Sequence, residues 1–234
     1  MSFLKQIWRD IKRVPAPTVF ALIVFMAIIF LFEETTGADL RDLYAHPQRI
    51  SKAWGHVTSG GASLGNANAI GTLFTAVFLH AGPDHILMNM VFLWTFASLA
   101  SRMLGKWNVV WIFLLTGAVG NILQVCLVPN SIGAILGASG AVTGFQGVYV
   151  GLASRWRLNW PHVWPLAHPV SPMRLAVFAL VGVGIDVYRL IQADGRIAFG
   201  AHIGGFICGF LIGIVFTCFK KNPDSRVAQR WMTS

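Results

Sequence analysis

Long apolar runs broken by short polar interruptions occupy almost the whole chain, and the runs are too long to be strands. Residues 18–32 (TVFALIVFMAIIFLF) open the series, and five more follow at about 85–101, 108–128, 139–153, 174–192 and 199–219. A bilayer core of about 30 Å takes about 20 apolar residues per helix, so the pattern predicts six transmembrane helices. Pro15 and Pro17 mark the start of the first, and Glu33 and Glu34 are expected to end it abruptly. With no small-residue cleavage site after it, this run does not read as a signal peptide. Residues 33–72 are mixed and turn-rich around Gly37, Pro47, Gly55, Gly60, Gly61 and Gly65, which predicts a long first loop with short interfacial helices. The other connections are short and carry Gly105, Pro129, Pro161, Pro165, Pro169, Pro172 and Gly195. The expected organisation is an all-α polytopic bundle over 18–219 between two charged tails, 1–17 and 220–234.

Composition agrees with the pattern. Of 234 residues, 55% are apolar and 12% charged, about half the charged fraction of an ordinary soluble domain. The 17 Phe and 9 Trp exclude a disordered chain. The net charge of +9 would suit a nucleic-acid binder, but in a membrane protein the placement of basic residues carries the information. On the side of the termini lie Lys5, Arg9, Lys12, Arg13, Arg102, Lys106, Arg155, Arg157, Arg174, Lys220, Lys221, Arg226 and Arg230, 13 in all. Arg41, Arg49, Lys52, Arg189 and Arg196 make 5 on the other. This bias predicts cytoplasmic termini, and the basic surplus reads as a topology signal with no nucleic-acid partner. Cys126, Cys208 and Cys218 have neither disulfide nor zinc spacing and read as small packing residues.

The informative positions are the polar residues inside the apolar runs, which are costly in a membrane and usually paired or functional. His85 and Asn89 sit at i and i+4 near the start of the second helix, Ser139 opens the fourth, and His202 lies near the start of the sixth. With both termini on one side, all three helices enter from the outer face, so these residues share one depth. Gly140, Gly144, Gly147 and Gly151 line the fourth helix, and Gly205, Gly209 and Gly213 the sixth. Small residues on facing helices let backbones approach closely, which brings Ser139 Oγ within reach of His202 as nucleophile and general base. The fourth run, 139–153, is about 22 Å long at 1.5 Å per residue, so Ser139 is expected below the outer surface in a recess that admits water. Thr143 and Gln146 read as helix-packing hydrogen bonders. Asp186 has two readings, a structural pair with Arg189 at i+3 or a third member orienting His202.

The sequence resembles the rhomboid intramembrane serine proteases. The resemblance rests on HxxxxHxxxN from His80 to Asn89, GxSG from Gly137 to Gly140, and AHxxGxxxG from Ala201 to Gly209, in that order over about 18–219. It implies a Ser139–His202 dyad that cleaves membrane-protein substrates in or near their transmembrane segments, without metal or cofactor. His85, Asn89 and the Ser139 backbone N–H would stabilise the oxyanion. His80 would brace the first loop, and Gly137, Gly140, Gly205 and Gly209 would support the site. Three departures stand out: Thr143 replaces the family's usual aromatic, leaving Phe145 or Phe206 to support the catalytic ring; the first loop lacks a Trp-Arg pair; and Ser101 stands where many relatives have glutamate. The alternatives are a catalytically inactive rhomboid-like protein that binds membrane clients, and a small transporter or channel using His80, His85 and His202 as a relay. The compact form suggests a bacterial inner membrane, with an organellar home open and no oligomeric state implied.

Overall fold

The computed structural model describes residues 16–61, 63–159, 170–192 and 197–222. The expected tails fall largely outside these residues, as do Pro161, Pro165, Pro169, Gly195 and Arg196. Among the described residues there are eight α-helices: α1 (Pro17–Thr36), α2 (Pro47–Thr58), α3 (Leu64–Thr75), α4 (Pro83–Leu104), α5 (Lys106–Leu127), α6 (Ser139–Arg155), α7 (Pro172–Ile191) and α8 (Phe199–Phe219). Single 3-10 turns occur at Arg41–Leu43 and Ala76–Phe78.

Local chemistry explains several boundaries. Proline lies in the first turn of α1, α2, α4 and α7, where its missing N–H costs nothing and its fixed φ suits a helix. Ser63 caps α3 by accepting from Asn66 N–H at 3.2 Å. Contrary to expectation, Glu33 and Glu34 do not end the first helix. It runs one more turn to Thr36 and stops at Gly37, whose φ of 66° is left-handed. Glu33 is tolerated because its Oε1 accepts from Tyr44 O–H at 2.9 Å.

Among the described residues, four helices are long and apolar enough to cross a membrane: α1, α4, α5 and α8. The six runs expected from sequence therefore divide, and the reason is physical. The helix α6 has 17 residues and is buried almost continuously from Gly140 to Leu152, so its neighbours set its composition. The helix α7 carries Arg174, Asp186 and Arg189. At the periphery the pattern reverses, and α1 exposes more than half of Phe25, Ile28, Leu31 and Phe32.

Backbone contact holds α6 to α8. A Cβ on Gly205 or Gly209 would fall on the carbonyl oxygens of Gly140 and Gly144, and one on Gly147 or Gly151 on those of Phe206 and Phe210. On its other side, Gly144 leaves room for the Thr116 side chain of α5. Gly120 of α5 packs against the Ala201 carbonyl, a close approach that the sequence reading missed.

The expected loop contains α2 and α3 and is tied to the segment before Ser139. Ala45 and Ile135 exchange backbone hydrogen bonds of 3.1 and 2.7 Å, Gln48 N–H donates to Ser131 O at 3.1 Å, and Gly137 N–H donates to Ala76 O at 2.9 Å. Asn121 Nδ2 of α5 donates to Leu73 O at 2.9 Å. The chain reaching Ser139 is thus fixed from two directions.

Candidate active site

Ser139 is the first residue of α6, and its side chain does not cap the helix. The first backbone bond that closes the helix runs from Val142 N–H to Ala138 O at 2.9 Å, so the Ser139, Gly140 and Ala141 amides precede it. Such unpaired amides carry the positive end of the helix dipole. The Ser139 Oγ lies 2.9 Å from His202 Nε2. On the other side of the ring, His202 Nδ1 lies 3.1 Å from Asp186 Oδ2. A carboxylate only accepts, so Nδ1 donates, and Nε2 keeps the lone pair facing the serine hydroxyl.

His85 lines the same cavity, of about 440 Å³, together with Ser139, His202, Ala81, Leu136 and Ala198. Ala81 N–H donates to His85 Nδ1 at 3.4 Å, which leaves the ring proton on Nε2. That nitrogen faces Gly137: a Cβ there would lie 2.8 Å from His85 Nε2, and the residue's φ of 117° independently favours glycine. Asn89 is 5% exposed, and its Nδ2 is buried without a hydrogen-bond partner. A Cβ on Gly137 would lie 3.7 Å from that nitrogen. Two donors, His85 Nε2–H and Asn89 Nδ2–H, therefore flank the approach to the Ser139 backbone. His80 is buried with its ring edge-on to His85, centroids 5.3 Å apart. Among the described residues, no group of three or more His, Cys, Asp or Glu is arranged to hold a metal ion.

The ring contact at His202 comes from a residue outside the expected pair, Phe145 and Phe206. Phe145 is fully buried in the core, and the aromatic side chain at His202 is Phe199, edge-on with centroids 6.2 Å apart and planes at 87°. Its signal was its place three residues before the histidine, one helical turn away. Thr143 fixes the backbone instead, donating to His202 O at 2.9 Å across α6 and α8. Of the two readings of Asp186, its carboxylate contact with His202 matches the one that orients the ring.

A model of the Rhomboid domain matches residues 67–219, well over half of the chain. The chain belongs to the rhomboid family. It is accordingly a multi-pass membrane protein. Relatives in this family carry different names. The chain is 28% identical over 206 residues to the Putative rhomboid protease YdcA of Bacillus subtilis (strain 168), covering 88% of this chain and 90% of that one. It is 31% identical over 144 residues to RHOMBOID-like protein 1 of Arabidopsis thaliana, covering 62% of this chain and 34% of that protein. It is 27% identical over 155 residues to Inactive rhomboid protein 1 of Drosophila melanogaster, covering 64% and 10%. The rhomboid chain thus spans about a third of the length of the first plant relative and a tenth of the fly protein.

Proposed function

We propose that this rhomboid is an intramembrane serine endopeptidase, hydrolysing peptide bonds in or near transmembrane segments of membrane-protein substrates. The observation that carries the reading is the 2.9 Å contact between Ser139 Oγ and His202 Nε2, inside a cavity next to free helix-terminal amides. In the proposed reaction His202 Nε2 removes the hydroxyl proton as Oγ attacks the scissile carbonyl carbon. The oxyanion is met by the Ser139 N–H, His85 Nε2–H and Asn89 Nδ2–H. His202 then gives the proton to the leaving amine, and water, activated by the same nitrogen, releases the acyl group. No metal or cofactor enters this scheme.

The finer layout belongs to the same proposal. Residues 18–219 form the protease domain, α1 and α4–α8 are its six spans, and both termini lie in the cytoplasm. The distribution of basic residues supports that orientation. At 17 residues, α6 is about 25 Å long at 1.5 Å per residue, shorter than the hydrocarbon layer, which supports a submerged and wetted serine. His80 and the glycines at 137, 140, 205 and 209 act as structural support. A bacterial cell membrane is the proposed location.

Binding of membrane clients without hydrolysis is the competing reading, favoured by the similarity to a relative named inactive. Reconstitution with single-span substrates separates the two. Proteolysis predicts fragments from the wild type and none from His202→Ala at equal folded amounts; intact substrate with both proteins would sink the proposal. Asn89→Ala should lower kcat about 10²-fold with little change in KM, because a positioned oxyanion donor is worth about 10²–10³. Steady-state kinetics on a peptide substrate checks this, and a change confined to KM would reassign Asn89 to substrate binding.

A further inference from the structure

We infer that Asp186 is a positioning residue for His202, so that the site works as a Ser139–His202–Asp186 relay. The inference rests on the serine-protease reading and extends it to a residue on a separate helix.

Burial along α7 leads to Asp186. The helix buries Leu175, Ala176 and Ala179 in its first half and no residue from Leu180 to Gln192. Within that second half, Gly182, Val183, Asp186 and Leu190 are the partly buried positions, at spacings that put them on one stripe, while Arg189 is exposed. The inward stripe thus presents a carboxylate where apolar packing is thin. A carboxylate within an apolar helix is unfavourable without a partner, and His202 is that partner. Asp186 Oδ2 is 3.1 Å from His202 Nδ1, and both side chains are 16% exposed.

The chemistry follows from the donor inventory. In a neutral imidazole one nitrogen donates and the other accepts. A carboxylate at Nδ1 holds the proton there and leaves Nε2 free to take the one from Ser139 Oγ. When that proton arrives, the ring becomes a cation whose Nδ1–H still points at Asp186. The carboxylate stabilises this charge and does not itself take up a proton. Thr143 holds only the backbone of His202, and Phe199 only touches the ring edge. Neither selects a tautomer.

The test uses purified full-length protein in proteoliposomes, with Asp186→Ala and Asp186→Glu beside the wild type. In soluble triads, loss or neutralisation of this carboxylate costs about 10⁴-fold; here Phe199 and Thr143 remain, so the expected fall in kcat is about 10²–10³-fold. KM and the thermal unfolding midpoint should stay near wild type. Asp186→Glu should retain part of the rate, and added formate should raise Asp186→Ala by occupying the vacated space. In ¹⁵N-histidine spectra, His202 should be protonated at Nδ1 in the wild type and lose that preference in Asp186→Ala. Unchanged kcat, or a loss explained by a raised KM and a lowered midpoint without formate response, would overturn the inference. The imidazole spectrum needs no turnover. An inactive wild type would therefore refute the protease reading, and a spectrum indifferent to Asp186 would refute this one.

Discussion

Ser139→Ala should eliminate peptide hydrolysis, with kcat falling at least about 10⁵-fold while the protein stays folded. The size follows from the chemistry: Oγ is the atom that would form the acyl-enzyme, and removing a serine nucleophile elsewhere costs about 10⁶-fold. What is left, the oxyanion donors and substrate binding, gives only residual catalysis over water. The fold should be indifferent, because Ser139 does not cap α6 and alanine is the best helix former. His202→Ala should cost nearly as much, and the double variant little more than either alone, since the two act as one unit. Turnover in proteoliposomes and an unfolding midpoint in the same lipid check both halves. A variant that loses activity only because it unfolds would leave the midpoint visibly lowered.

The second large effect concerns the contact that brings the dyad together. Gly209→Val should destabilise the protein by about 3 kcal/mol or more. The added Cβ would stand on the carbonyl oxygen of Gly144, with the Gly144 Cα 3.0 Å away. Backbone cannot swing aside as a side-chain tip can, so α8 must shift. Overpacking of a rigid contact costs about 1–3 kcal/mol when neighbours can adjust, and here α6 is held from behind by Thr116 against Gly144. Any outward movement of α8 also lengthens the 2.9 Å Ser139–His202 contact, so activity should fall before the protein unfolds completely. Gly184 is the control. Nothing lies within 4 Å of its Cβ position, and Gly184→Ala should be neutral or stabilising by about 0.5–1 kcal/mol. Reversible unfolding in bicelles compares the two, and equal effects would mean that the glycine stripe does not govern the α6–α8 approach.

Why some of this was legible in the sequence and some was not can be read from individual residues. Ser139, His202, His85 and Asn89 are polar exceptions in apolar runs, which singles them out in the sequence, and three of them, Ser139, His202 and His85, line one cavity. Gly205 and Gly209 announce a close contact because GxxxG has few other uses in an apolar helix. The Asp186–His202 contact depends on how α7 is rotated about its own axis, and a helix exposed on most of its surface carries a weak record of that rotation. Phe199 carries little signal in the sequence, because it lies in the first turn of an apolar helix where an aromatic residue is ordinary. The Glu33–Glu34 pair is a poor helix-end signal because charge alone does not stop a helix: a tyrosine eleven residues on, Tyr44, makes Glu33 acceptable. The spans divided for the same reason: α6 is shielded by other helices, and hydropathy describes contact with lipid.

Ser139 is proposed to act as an activated nucleophile. The most direct measurement is labelling of the folded protein in bilayers with a fluorophosphonate, followed by peptide mapping of the adduct. One phosphonylated residue is expected, Ser139, with labelling abolished in His202→Ala and slowed in Asp186→Ala. A folded wild type that stays unlabelled, or that is labelled at a different serine with His202→Ala reacting equally fast, would contradict it.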